Sequence, residues 1–275
     1  MDLKQQPIGV FDSGVGGLSV LRAIRMQMPE ESVIYFGDQG HIPYGPRPME
    51  QIQSFSEAIT KFLLAQKAKI VVVACNAASA AALKYLRVKF QDISFVGMEP
   101  AVKPAAEKTG TGVVGVLATP ATFQGALYAS VVERFAAGVE LLQSTCPGLV
   151  QQIEKGDLDG PETQRILAEA LDPMLARKID TVVLGCTHYP FVIPLIEQLV
   201  GGQVRVIDPA PSVARQVSRL LEAGGLKNPA GTRGDVRFFT SGAAQAMQSL
   251  LPKLLGEEGN VKSVMWLDDH TIDQR

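Results

Sequence analysis

Short unbroken runs of β-branched and other apolar residues, each followed by a longer segment with helical spacing, recur along this 275-residue chain. No other feature constrains its fold as much. The runs are 8–11, 33–36, 70–73, 94–97, 113–117, 181–184 and 204–207. None alternates apolar with polar residues, so the strands they form keep both faces from water, as in a parallel sheet covered on each side. Between them the spacing predicts helices over 18–28, 49–66, 77–90, 120–136, 161–177, 190–200 and 211–223. Such alternation specifies an α/β chain with right-handed crossovers. Ligands meet folds of this kind at the carboxyl ends of strands, so the residues just after each run matter most.

Two of these run ends echo each other. Lys69-Ile70-Val71-Val72-Val73-Ala74-Cys75-Asn76 and Lys178-Ile179-Asp180-Thr181-Val182-Val183-Leu184-Gly185-Cys186-Thr187 both lead through a small residue to a cysteine, then to a polar residue opening a helix. A fainter echo relates Ile8–Ser13 to Val113–Thr119. The expected architecture is two similar three-layer lobes with mostly parallel sheets and an active site in the cleft between them. The first lobe takes residues 1–98 plus 209–275 and carries Cys75; the second takes 99–208 and carries Cys186. Glu99–Pro104 reads as the crossing point and Asp208–Pro211 as the return. Strand-like 236–239 and 261–265 complete the first lobe, and 226–234 reads as a surface loop.

Composition narrows the class of function. Lys and Arg total 26 and Asp and Glu 28, a formal charge of −2, so no bulk basic field draws nucleic acid or an anionic membrane. No apolar run reaches the roughly 18 residues that span a bilayer, and residues 1–7 lack the apolar stretch of a signal peptide. Three cysteines are too few for a disulfide framework and suit a reducing, intracellular, cytoplasmic setting. Cys, His and acidic residues are too dispersed for zinc spacing, so no metal is expected.

A thiol at a helix N-terminus feels free N–H groups and the positive end of the helix dipole, which are expected to lower its pKa. The bland reading of one such cysteine is a small buried residue. Two in equivalent places favour a paired role: one thiolate removes a proton from carbon and the other thiol returns one on the opposite face. Cys146, with no comparable strand before it, reads as structural. Asp12-Ser13-Gly14-Val15-Gly16-Gly17 opens a helix with a glycine-rich turn suited to a carboxylate or small phosphate. Asp12 is either a cap there or an acid that binds an ammonium group or assists a thiolate. Tyr44 and the backbone at Gly45, in the proline-dense loop 37–48, are placed to close on a substrate. His188, two residues from Cys186, can shuttle its proton.

At Phe11–Leu18, Pro43-Tyr44-Gly45, Ala74-Cys75-Asn76, Thr119–Thr122 and Gly185-Cys186-Thr187-His188-Tyr189-Pro190 the sequence resembles the cofactor-independent glutamate racemases of the aspartate/glutamate racemase superfamily. The resemblance implies an isomerase that interconverts L- and D-glutamate without cofactor. By it, Cys75 is the base for D-glutamate and Cys186 for L-glutamate, assisted by Asp12, His188 and Glu154. Asp12, Ser13, Tyr44, Gly45, Asn76, Ala77, Thr187 and His188 contact the amino acid. Ala77 stands where the family usually has Thr, leaving a backbone N–H to serve. The resemblance also implies a homodimer in bacterial cytoplasm that supplies D-glutamate for peptidoglycan and so bears on cell shape. An aspartate or other acidic amino-acid racemase is the near alternative, and Thr-His after Cys186 favours glutamate over it. A Cys–His thiol hydrolase using Cys186 and His188, and a non-catalytic amino-acid binder, are the readings from other classes.

Overall fold

In the computed structural model, which describes residues 2–229 and 231–273, every residue of the strand that opens the chain's first sheet is buried. That strand is β1 (Ile8–Asp12). It leads to α1 (Leu18–Gln27), β2 (Val33–Gly37), α2 (Met49–Ala65), β3 (Ile70–Val73), α3 (Asn76–Lys89) and β4 (Phe95–Gly97). There follow α4 (Val102–Lys108), β5 (Val113–Ala118), α5 (Pro120–Gln124), α6 (Ala126–Phe135), β6 (Glu140–Ser144), α7 (Leu149–Glu154) and α8 (Pro161–Ala176). Next come β7 (Thr181–Gly185), a 3-10 turn (Tyr189–Val192), α9 (Ile193–Val200) and β8 (Arg205–Ile207). The remainder is α10 (Ala210–Ala223), β9 (Val236–Thr240), α11 (Ala244–Leu254), β10 (Val261–Ser263), β11 (Trp266–Asp268) and β12 (Thr271–Ile272).

The chain forms two compact units. One runs up to Met98 and resumes at Ala210; the other is Glu99–Pro209. The first holds a parallel six-stranded sheet in the order β10-β9-β2-β1-β3-β4 and a small antiparallel β11–β12 hairpin. The second holds a parallel four-stranded sheet in the order β6-β5-β7-β8. The order β2-β1-β3-β4 recurs in it as β6-β5-β7-β8, which is the topological form of the sequence echo. The interior strands β1, β3, β5 and β7 are buried almost throughout, as their unalternated runs require. By contrast, β6 and β8 at the edges of the second sheet are part-exposed, with Arg205 of the expected 204–207 run facing water.

Within the first unit, Phe62 packs edge-on against Phe36 and Phe239 at 5.3 and 5.1 Å between ring centroids. In the second, Val114, Val116 and Val183 from the sheet meet Val102, Tyr128 and Val131 from α4 and α6. An ion pair with both side chains almost fully buried, Lys69 Nζ to Glu31 Oε2 at 2.5 Å, joins the start of β3 to the α1–β2 turn. Lys69 also donates to the carbonyls of Lys4 and Leu226.

Several local expectations change. The helix expected over 120–136 breaks at Gly125, which takes extended angles and ends α5 while starting α6. Glycine is a weak helix former, and its backbone yields there. The helix expected over 190–200 begins as a 3-10 turn, with Pro190 and Pro194 as the second residues of the turn and of α9. Helix α4 takes up the second half of the expected crossing segment, and α7 and α11 lie outside the expected helices. The strand before Cys146 is β6, which ends at Ser144 and is weaker in pattern than those before Cys75 and Cys186. This edge strand is half-exposed and reads Glu-Leu-Leu-Gln-Ser, without the β-branched run that marks the interior strands. Within the expected loop 226–234, Ala230 lies outside the described residues, and no helix or strand is found in the rest.

Candidate functional site

In the first unit, the ends of β1 and β3 bring four polar residues together. Asp12 ends β1 fully buried, and its Oδ2 accepts the backbone N–H of Gly17 at 2.9 Å. Gly17 has no room for a side chain, since a Cβ there would lie 2.7 Å from that of Asp12 and 3.0 Å from Tyr35 Oη. Asp12 therefore ties down the turn leading into α1. Cys75 follows β3 as the N-cap of α3, and its Sγ lies 3.7 Å from Ser13 Oγ. The expected lowering of the Cys75 pKa is reversed. Burial, and then the Asp12 carboxylate, push this thiol well above its ordinary value. The Ala78 N–H and the hydroxyl and N–H of Ser13 act in the opposite sense without overcoming them. Desolvation of a charge outweighs a helix dipole when the sulfur is 5% exposed.

Asn76 and Ala77, also buried, start α3. Neither the Nδ2 nor the Oδ1 of Asn76 has a hydrogen-bond partner among the described residues. An unsatisfied buried amide is costly, about 1–3 kcal/mol, and marks a place where a polar ligand group would be stabilised. Tyr44 is buried on the loop after β2, with its hydroxyl donating to Asp38 Oδ2 at 2.6 Å. Burial and Asp38 hold its pKa well above normal, and the charges of Cys75 and Asp12 add to this. Gly45 is partly exposed next to it.

The second unit builds a matching strand end. Cys186 directly follows β7 and is 5% exposed. Its Sγ lies 3.8 Å from His188 Nδ1, while His188 Nε2 lies 2.7 Å from Glu154 Oε1 at the end of α7. Burial alone would lower the His188 pKa, but contacts with Cys186 and Glu154 outweigh it and hold the imidazole well above its ordinary value. Thr187 is buried between the two. Cys146 is buried nearby, its thiol pushed up to about 12 by burial and by the charge of Cys186, against a contact from Ser144. All three cysteines are free. No group of His, Cys, Asp and Glu that could hold a metal ion occurs among the described residues. Nor is any described helix long and apolar enough to cross a membrane.

Asp38 was missed by sequence reasoning. Its donors include Ser241 and Trp266, more than 200 residues away in the chain.

Residues 8–217 match the family model described as Asp/Glu/Hydantoin racemase. The chain belongs to this family. It is 49% identical over 261 residues to a glutamate racemase of Ectopseudomonas mendocina, a match covering 95% of this chain and 99% of that one. Among solved structures, a glutamate racemase isoform from Bacillus anthracis is similar with a TM-score of 0.85 at 33% identity, covering 98% of this chain and 99% of that one. The glutamate racemase of Francisella tularensis, solved in complex with D-glutamate, has a TM-score of 0.81 at 30% identity, covering 95% and 98%. Membership makes the chain an isomerase, as the motifs around Cys75 and Cys186 imply.

Proposed function

We propose that this chain interconverts L-glutamate and D-glutamate by moving a proton at Cα between two thiols. The observation that carries this reading is the pairing of each strand-end cysteine with its own ionisable partner: Asp12 beside Cys75, and the Glu154–His188 pair beside Cys186. From L-glutamate, Cys186 Sγ as thiolate takes the Cα proton, and the Cys75 thiol gives its proton to the opposite face of the resulting carbanion. The product is D-glutamate, leaving Cys186 protonated and Cys75 as thiolate. His188 and Asp12 then reset the sulfurs by passing protons. The reverse reaction exchanges the roles. A thiol held protonated at rest suits Cys75 as the acid of the L-to-D direction.

The unpartnered Asn76 amide, the Ser13 hydroxyl, Tyr44, the backbone at Gly45 and Ala77, and Thr187 contact the amino acid in this reading. The glutamate racemase names of the relatives, and the D-glutamate held by the Francisella protein, support glutamate over aspartate. The product would feed peptidoglycan synthesis in the cytoplasm and so cell shape, and the enzyme would act as a homodimer.

Incubation with L-glutamate in deuterium oxide, without pyridoxal phosphate, is expected to yield D-glutamate carrying deuterium at Cα, with aspartate unchanged. Absence of both the D-isomer and deuterium incorporation would refute the proposal.

A further inference from the structure

Asp38, at the end of β2, is fully buried and has a donor on each oxygen from a different part of the first unit. On Oδ2 it accepts from the Tyr44 hydroxyl at 2.6 Å, and His41 Nδ1 bridges the two oxygens at 3.0 Å from Oδ2 and 3.2 Å from Oδ1. On Oδ1 it accepts from Ser241 Oγ at 2.5 Å and from Trp266 Nε1 at 2.8 Å. Tyr44 thus holds one carboxylate oxygen, and Ser241 and Trp266 from the tail hold the other. A carboxylate is planar, so fixing one oxygen fixes the direction in which the other presents its lone pairs.

Trp266 opens the β11–β12 hairpin, which docks on α2 through Ser54: its hydroxyl donates to the Asp269 carbonyl at 2.7 Å and also meets His270 Nδ1. The Trp266 ring packs edge-on against Phe55 at 5.4 Å and His41 at 4.9 Å, and His41 stacks on Phe55 at 4.0 Å. Packing alone would be served by any large aromatic ring. The indole N–H aimed at Asp38 is what a phenyl ring could not supply.

We infer that Trp266 is a positioning residue: through Asp38 it fixes the hydroxyl of Tyr44 and thereby the substrate affinity of the first unit. This rests on the proposed role of Tyr44 in glutamate binding. Trp266 does not touch the substrate, and its effect falls on KM.

Trp266→Phe keeps the ring and removes the donor. It is expected to raise KM for both enantiomers about three- to tenfold, with kcat within about twofold, and Tyr44→Phe is expected to do the same. The double variant is expected to match Tyr44→Phe alone, since both changes break one relay. Wild-type KM in Trp266→Phe, or effects that multiply in the double variant, overturns the inference. Because Trp266 is the chain's single tryptophan, its emission reads the relay without turnover. In substrate-free protein, Tyr44→Phe and Ser241→Ala are each expected to shift the emission maximum, and unchanged emission in both overturns the inference. If the emission shifts while wild-type protein leaves glutamate untouched, the relay stands and the glutamate reading fails.

Discussion

His188 Nε2 lies 2.7 Å from Glu154 Oε1, while Nδ1 of the same ring lies 3.8 Å from Cys186 Sγ. The folded pKa of this imidazole is raised above its unfolded value of about 6.5. The pair's stabilising effect is therefore fully present below about pH 6.5 and is lost as pH rises through the raised folded value. Glu154→Gln removes the carboxylate, so its Tm should fall furthest below wild type at low pH. The gap should narrow as pH rises above about 6.5 and through the raised folded value, and turnover should slow throughout. Thermal melts across that range check the sign: a gap that widens with pH contradicts the pairing.

Cys75→Ser and Cys186→Ser should each reduce racemisation by about 10²–10⁴-fold in both directions, with Tm nearly unchanged, because serine fills the space but is a far weaker proton carrier near neutrality. Cys146→Ala should keep turnover within a few-fold and lose about 1 kcal/mol of stability, the scale expected for trimming a small buried group. Polarimetry on the three variants separates the two strand-end thiols from the third.

Asp12 raises the Cys75 pKa by its charge, second only to burial. Asp12→Asn should therefore shift the pH midpoint for Cys75 alkylation downward, with thiolate forming at lower pH. Racemisation should fall, since the carboxylate that assists the sulfur is gone. Mass-spectrometric alkylation rates against pH give the midpoint, and an upward or absent shift contradicts this account.

The Lys69–Glu31 pair is more than 98% buried on both side chains, and Lys69 lies at the opposite end of β3 from Cys75. Lys69→Met leaves Glu31 without its charge partner and should cost about 3–5 kcal/mol. Turnover at low temperature should persist. Pairing it with Glu31→Leu should recover part of the loss, because the stranded charge is removed too. Denaturant unfolding of the single and double variants measures both.

Much of the fold is legible in the chain because interior parallel strands are buried on both faces and carry continuous β-branched runs. The edge strand β6 lacks such a run, and β11 and β12 span three and two residues, too short for periodicity to register. The break at Gly125 shows a backbone preference overriding a helical pattern that continues across it. The strand-end positions of Cys75 and Cys186 follow from the runs before them. The protonated resting state of Cys75 does not, because it depends on how closely Asp12 approaches and how completely water is excluded.

By itself the sequence determined that this is an α/β chain with a repeated strand–cysteine–helix unit, and its motifs placed it among the racemases, since local patterning and residue spacing are properties of the linear chain. Only the tertiary structure decided what surrounds each group. It set Asp12 against Gly17, Glu154 against His188, and the far tail's Ser241 and Trp266 against Asp38. Hydrogen bonding, desolvation and charge depend on distance in space, and residues 228 positions apart become neighbours only when the chain has folded.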